Sequence, residues 1–97
     1  MSRSEILSVL RSRYQMIHTT FGVKVLMLFG SAARDEIRPD SDVDVLVEFE
    51  LQPDFDTFMD LKFFLEDILK AKVDLVTREA LKPRMRPIIE KEAINVS

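Results

Sequence analysis

Leu28-Phe-Gly-Ser-Ala-Ala-Arg-Asp-Glu-Ile-Arg-Pro-Asp-Ser-Asp-Val-Asp-Val-Leu-Val-Glu48 reads as strand, tight turn, short helix, loop and second strand, with two carboxylates on the second strand. In Asp42-Val-Asp44-Val-Leu-Val47 successive side chains alternate between faces, so Asp42 and Asp44 point the same way, their Cα atoms roughly 6–7 Å apart. Two acids on one face can grip a divalent cation together. Magnesium prefers oxygen ligands, commonly one or two carboxylates plus substrate phosphates, and such a pair supplies the protein's share. Taken alone, Asp-x-Asp more often marks a strand start with solvent-facing acids.

Ahead of the acids, Gly30 and Ser31 follow the apolar run Val25-Leu-Met-Leu-Phe29, which has the look of a buried strand. A glycine there lets the backbone turn sharply and lets a ligand approach. Ser31 is then placed to cap a short helix, and amides at a helix start attract phosphate. Gly-Ser alone is more often an ordinary strand-to-helix turn. Together with the acids it makes a phosphate cradle and a cation site facing one another across neighbouring strands.

Gly30-Ser31, ten intervening residues and Asp42-x-Asp44 resemble the signature of the DNA polymerase beta-like nucleotidyltransferase superfamily. Within it the chain is most similar to the minimal nucleotidyltransferases, the short MntA-like antitoxin subunits paired with HEPN toxins. The resemblance spans most of the chain, because Asp74 in Val73-Asp-Leu-Val-Thr77 stands where the family places its last metal ligand. It implies that Asp42, Asp44 and Asp74 are catalytic and hold two Mg²⁺ ions, Asp42 and Asp44 bridging both and Asp74 completing the ion on the acceptor side. Gly30 and Ser31 would hold the β- and γ-phosphates of an ATP donor, with Arg34 close to the same charge or ion-paired with Asp35 or Glu36. One departure is Asp35, where the family usually has glycine.

Composition bounds the alternatives. With 97 residues, a net charge of −3 and a pI near 5.1, the chain suits one small domain over residues 1–97 and argues against broad nucleic-acid binding. There are no cysteines, which excludes disulfides, thiolate zinc sites and thiol nucleophiles, and one histidine, His18, read as a satisfied or exposed helix residue. No stretch approaches the roughly 20 apolar residues of a membrane span, so no membrane partner and a cytoplasmic location are expected. Neither a P-loop nor a dinucleotide-binding glycine pattern occurs.

Elsewhere the periodicity is plain. Ile6, Leu7, Leu10, Tyr14 and Ile17 mark an amphipathic helix near 3–19, capped by Ser2 or Ser4, with Arg3, Arg11 and Arg13 opposite. Phe58, Leu61, Leu65, Ile68 and Leu69 mark another near 56–70, capped by Asp54 or Asp56, with Phe63 and Phe64 joining Phe58 as packing residues. Pro87 suits the first turn of a last helix near 86–94, after a basic segment of Lys82, Arg84 and Arg86 that either leans over phosphate, meets an acidic partner or is solvated.

The expected fold is therefore α/β (α+β): a short mixed sheet with strands near 23–29, 42–50 and 72–77, backed by helices on one side, the acids along the uncovered face. Three strands leave an edge that would suit a partner. A chain this short has little with which to build an acceptor pocket. The resemblance says that such subunits bind HEPN toxins and transfer AMP from ATP to a toxin tyrosine. A module that blocks the toxin by contact alone, and a transferase for a small aminoglycoside-like molecule, stay open as alternatives.

Overall fold

Ser2 starts the first helix, α1 (Arg3–Phe21), by a reciprocal pair of bonds: its hydroxyl accepts from Glu5 N–H while the Glu5 carboxylate accepts from Ser2 N–H. Two of the orphan amides of the first turn are thereby satisfied. Gly22, with φ of +70°, ends the helix by donating to the His18 carbonyl. Strand β1 (Val23–Phe29) follows, then a single turn of helix, α2 (Gly30–Ala33), and strand β2 (Val43–Phe49). Helix α3 (Phe55–Leu69), capped by Asp54, leads to β3 (Val73–Thr77), a 3-10 turn at Arg78–Ala80, helix α4 (Arg86–Glu92) and a short strand β4 (Ile94–Asn95). The computed structural model describes residues 1–96.

The sheet runs β3-β2-β1-β4. β1 lies antiparallel to both neighbours, whereas β2 and β3 are parallel, which is why α3 must cross between them. Alternation then sorts the side chains. Leu26, Leu28, Val43, Val45, Val47, Val73 and Leu75 are buried beneath α1 and α3 with Ile6, Leu10, Ile17, Leu61, Leu65 and Leu69. Of the three phenylalanines expected to pack, Phe58 and Phe64 join that core, Phe64 meeting Phe21 at 5.5 Å between ring centres. Phe63 does not: it is 55% exposed, because it falls on the solvent side of the α3 stripe.

Three further expectations need correction. The acid-bearing face is not bare: Leu81 and Ile89 of the α4 region cover Leu46, beside Met27, Phe29 and Val76, so helices lie on both faces of the sheet. Leu46 shares that face with Asp44, and an aliphatic side chain there is stabilised by a lid. The last helix stops at Glu92, with Ala93 extended, because Ile94 instead pairs with Leu28, Asn95 with Met27, and Val96 N–H bonds the Leu26 carbonyl. A fourth strand thus covers the β1 edge that the three-strand reading left open. Asp42 sits just before β2 rather than within it. Among the described residues, no helix is long and apolar enough to cross a membrane.

Candidate active site

Asp44 and Asp74 are register partners in the parallel pair β2 and β3, and residues paired this way point to the same face. Asp44 is also opposite Phe29, the last residue of β1, which brings it against the bend that follows. The contact is tight. Gly30 has φ of +68°, and a Cβ placed on it would run into the Asp44 carboxylate. Position 30 therefore excludes a side chain twice over, by backbone conformation and by the acid it touches.

Electrostatics reports the same convergence. Half-buried Asp44 has its pKa pushed up to about 6, first by loss of water around the carboxylate, then by the negative charges of Asp74 and Asp42, with Arg34 acting in the opposite direction and Glu92 adding to the repulsion. Asp42 and Asp74 are exposed and reachable from solvent. Among the described residues, no three His, Cys, Asp or Glu side chains are already gathered into a metal cage. The donor set nevertheless suits magnesium, which takes few protein carboxylates and fills its remaining positions with water and substrate phosphate. A cation would also relieve the repulsion that Asp44 meets.

Ser31 is not a cap. It lies inside α2, whose N-cap position is Phe29, and no side chain of that position bonds the helix start. The Gly30 amide is bonded instead from far along the chain: Glu92 Oε1 accepts from Gly30 N–H at 3.1 Å, and Glu92 Oε2 accepts from Arg34 Nη1 at 3.0 Å. Arg34 also pairs with Glu36 at 3.3 Å, one of its two expected partners; no bond joins it to Asp35. Asp35 has a different task. It adopts φ of +59°, the conformation for which glycine is the usual choice, and its Oδ1 accepts from Arg3 N–H at 2.9 Å at the start of α1. Aspartate tolerates the left-handed region better than most residues and here adds a helix-capping bond.

Glu92 was missed by sequence reading, as were Glu48 and Glu90, which hold Arg78 at 3.4 and 2.6 Å and tie the sheet to α4. No spacing rule connects such distant positions. His18 stays out of the site: its Nδ1 lies 2.7 Å from the Val23 carbonyl and its ring stacks on Tyr14. Lys82, Arg84 and Arg86 are exposed, Arg86 reaching the Glu79 carbonyl at 3.5 Å. A separate groove lined by Phe49, Leu51, Pro53, Phe55, Phe58 and Thr77 lies at the far ends of β2 and β3 from Asp44 and Asp74.

A mixed sheet with a glycine bend packed against the Asp44 carboxylate is the frame of this site, and comparison with known proteins supplies its class, a nucleotidyltransferase. The chain belongs to the nucleotidyltransferase domain family, whose profile matches residues 3–96. It is 38% identical over 92 residues to the protein adenylyltransferase MntA of Thermococcus cleftensis, covering 95% of this chain and 93% of that one. It is 42% identical over 94 residues, 96% of both chains, to MJ0128 of Methanocaldococcus jannaschii, to which the same activity is assigned provisionally. A solved structure provisionally designated a minimal nucleotidyltransferase superposes with a TM-score of 0.83 at 37% identity, covering 97% of this chain and 95% of that one. The fold is shared, at 16% identity and a TM-score of 0.67, with a Shewanella oneidensis complex described as a tri-AMPylated HEPN toxin with MNT antitoxin, covering 94% of this chain and 71% of that one.

Proposed function

We propose that this nucleotidyltransferase moves AMP from ATP to a tyrosine hydroxyl of a HEPN-type toxin and thereby serves as its antitoxin. The observation that carries the chemistry is the in-register pairing of Asp44 with Asp74, Gly30 wedged against Asp44. The reaction is an in-line displacement: the acceptor oxygen bonds the α-phosphorus, the bond to the β-phosphate bridge breaks, pyrophosphate departs and the hydroxyl proton is released. Magnesium, when bound, offsets the charge that grows on attacking and leaving oxygens. Asp42 and Asp44 would hold two ions and Asp74 the one on the acceptor side. The Gly30 amide, Ser31 and Arg34 would receive the β- and γ-phosphates, Arg34 by charge and a planar fork of donors.

The relatives bear on the acceptor. The Thermococcus cleftensis relative is named a protein adenylyltransferase, and neighbours in fold are described as toxin-antitoxin complexes, one of them with AMP-PNP. Exposed Asp42 and Asp74 beside half-buried Asp44 suit an acceptor delivered on another protein, in the cytoplasm where ATP is supplied, and the reading assigns no role to nucleic acid or membrane. The test is to incubate the purified chain with its partner toxin, ATP and Mg²⁺ and weigh the partner. Each transfer adds an adenylyl group to a tyrosine and silences the toxin, and Asp42→Asn abolishes the gain. A partner silenced with unchanged mass would replace catalysis by occlusion.

A further inference from the structure

The carboxylate of Glu92 does for the bend what a pair of phosphate oxygens would do. One oxygen accepts a hydrogen bond from Gly30 N–H at 3.1 Å and the other accepts one from Arg34 Nη1 at 3.0 Å. The two donors belong to residues 62 and 58 positions away in sequence, so the bridge is no by-product of local chain geometry. Glu92 is the less exposed partner, with 27% of its side chain exposed against 47% for Arg34. The bend amide and the Arg34 guanidinium thus hold a carboxylate between them, and the same two donors suit phosphate oxygens.

We propose that Glu92 is a built-in occupant of the donor-phosphate seat, a gate that ATP must displace. The proposal rests on the assignment of Gly30 and Arg34 to the donor phosphates. Displacement exchanges like for like: the amide and the guanidinium pass from carboxylate oxygens to phosphate oxygens, and the Glu92 side chain rotates toward solvent. The α4 helix need not detach, because Ile89 stays packed on Leu46 and the Glu90–Arg78–Glu48 ion pairs hold the helix from its other side. Glu92 therefore lowers the affinity for nucleotide while keeping Arg34 oriented in its absence.

The experiment compares the full chain with Glu92→Gln and Glu92→Asp. The probe is α,β-methylene ATP, which cannot surrender its adenylyl group, with Mg²⁺, titrated by calorimetry. The Gly30 amide resonance is followed in parallel. Removing a partly exposed, charge-assisted competitor should tighten nucleotide binding about three- to tenfold in Glu92→Gln. Glu92→Asp, a methylene too short to bridge, should tighten it less. In the wild-type chain the Gly30 resonance should move on titration, and in the nucleotide-free Glu92→Gln chain it should already be displaced from its wild-type position. Unchanged or weaker binding by folded Glu92→Gln overturns the gate alone and makes Glu92 a structural clasp or a ligand-binding group. No saturable binding by either the wild type or the variants overturns the gate together with the phosphate assignment beneath it.

Discussion

At the residue scale, Asp44 couples the site to stability. Its folded-state pKa of about 6 lies above the ordinary carboxylate value of 3.8, so between those pH values the folded chain binds more protons than the unfolded one. Stability from this group is therefore present at low pH and lost as pH rises from about 4 to about 6. Glu5, Asp54 and Glu66 act oppositely. Hydrogen bonds from Ser2, from Thr57 and from the Val73 amide with Lys62 hold their carboxyls below the usual range, and what they contribute is lost on acidification. The wild type should thus lose melting temperature, relative to Asp44→Asn, as pH is raised from 4 to 7 in chelator. Adding Mg²⁺ at pH 7.5 should recover part of that loss in the wild type and none in Asp44→Asn. Thermal melts of the two proteins across pH check both statements.

At the element scale, the two faces of the sheet differ in how firmly they are covered. On one face, α1 and α3 contribute Ile6, Leu7, Leu10, Ile17, Leu61, Leu65 and Leu69 to a continuous core. On the other, α4 buries Ile89 while Met85 and Ile88 remain 44% and 67% exposed. Few buried contacts mean a low free energy of local opening. Amide exchange should accordingly be faster in α4 than in α1 or α3. Ile89→Ala should accelerate α4 exchange further and leave α3 protection nearly unchanged, whereas Leu65→Ala should cost about 2–5 kcal/mol of global stability. Equal protection in α4 and α3 would mean that the lid is part of the main core.

For the whole molecule, binding linkage converts site occupancy into stability. With ligand at 100 times its dissociation constant, Mg²⁺ and ATP should add about 2.7 kcal/mol. For a chain of this size that raises the melting temperature by about 10–20 °C. Asp42→Asn and Asp74→Asn should each reduce the rise, and a rise that survives both substitutions would remove these residues from the nucleotide site.

What the sequence by itself determined is what depends on near neighbours. Alternation in β1, β2 and β3, the apolar stripes of α1 and α3 and caps narrowed to Ser2 or Ser4 and to Asp54 or Asp56 are legible because each is set within a turn or two of chain; the structure selects Ser2 and Asp54. The spacing from Gly30-Ser31 to Asp42 and Asp44 is legible for the same reason: one bend and one loop span it. Asp35 shows the limit, since its departure from glycine makes sense only once its carboxylate is seen on the Arg3 amide. Tertiary structure alone decided that Ile94 pairs with β1, that Leu81 and Ile89 cover Leu46, and that Glu92 bridges Gly30 and Arg34. Those contacts join distant positions, and a side chain brought there by the fold leaves no periodicity, spacing or cap in the order of the residues.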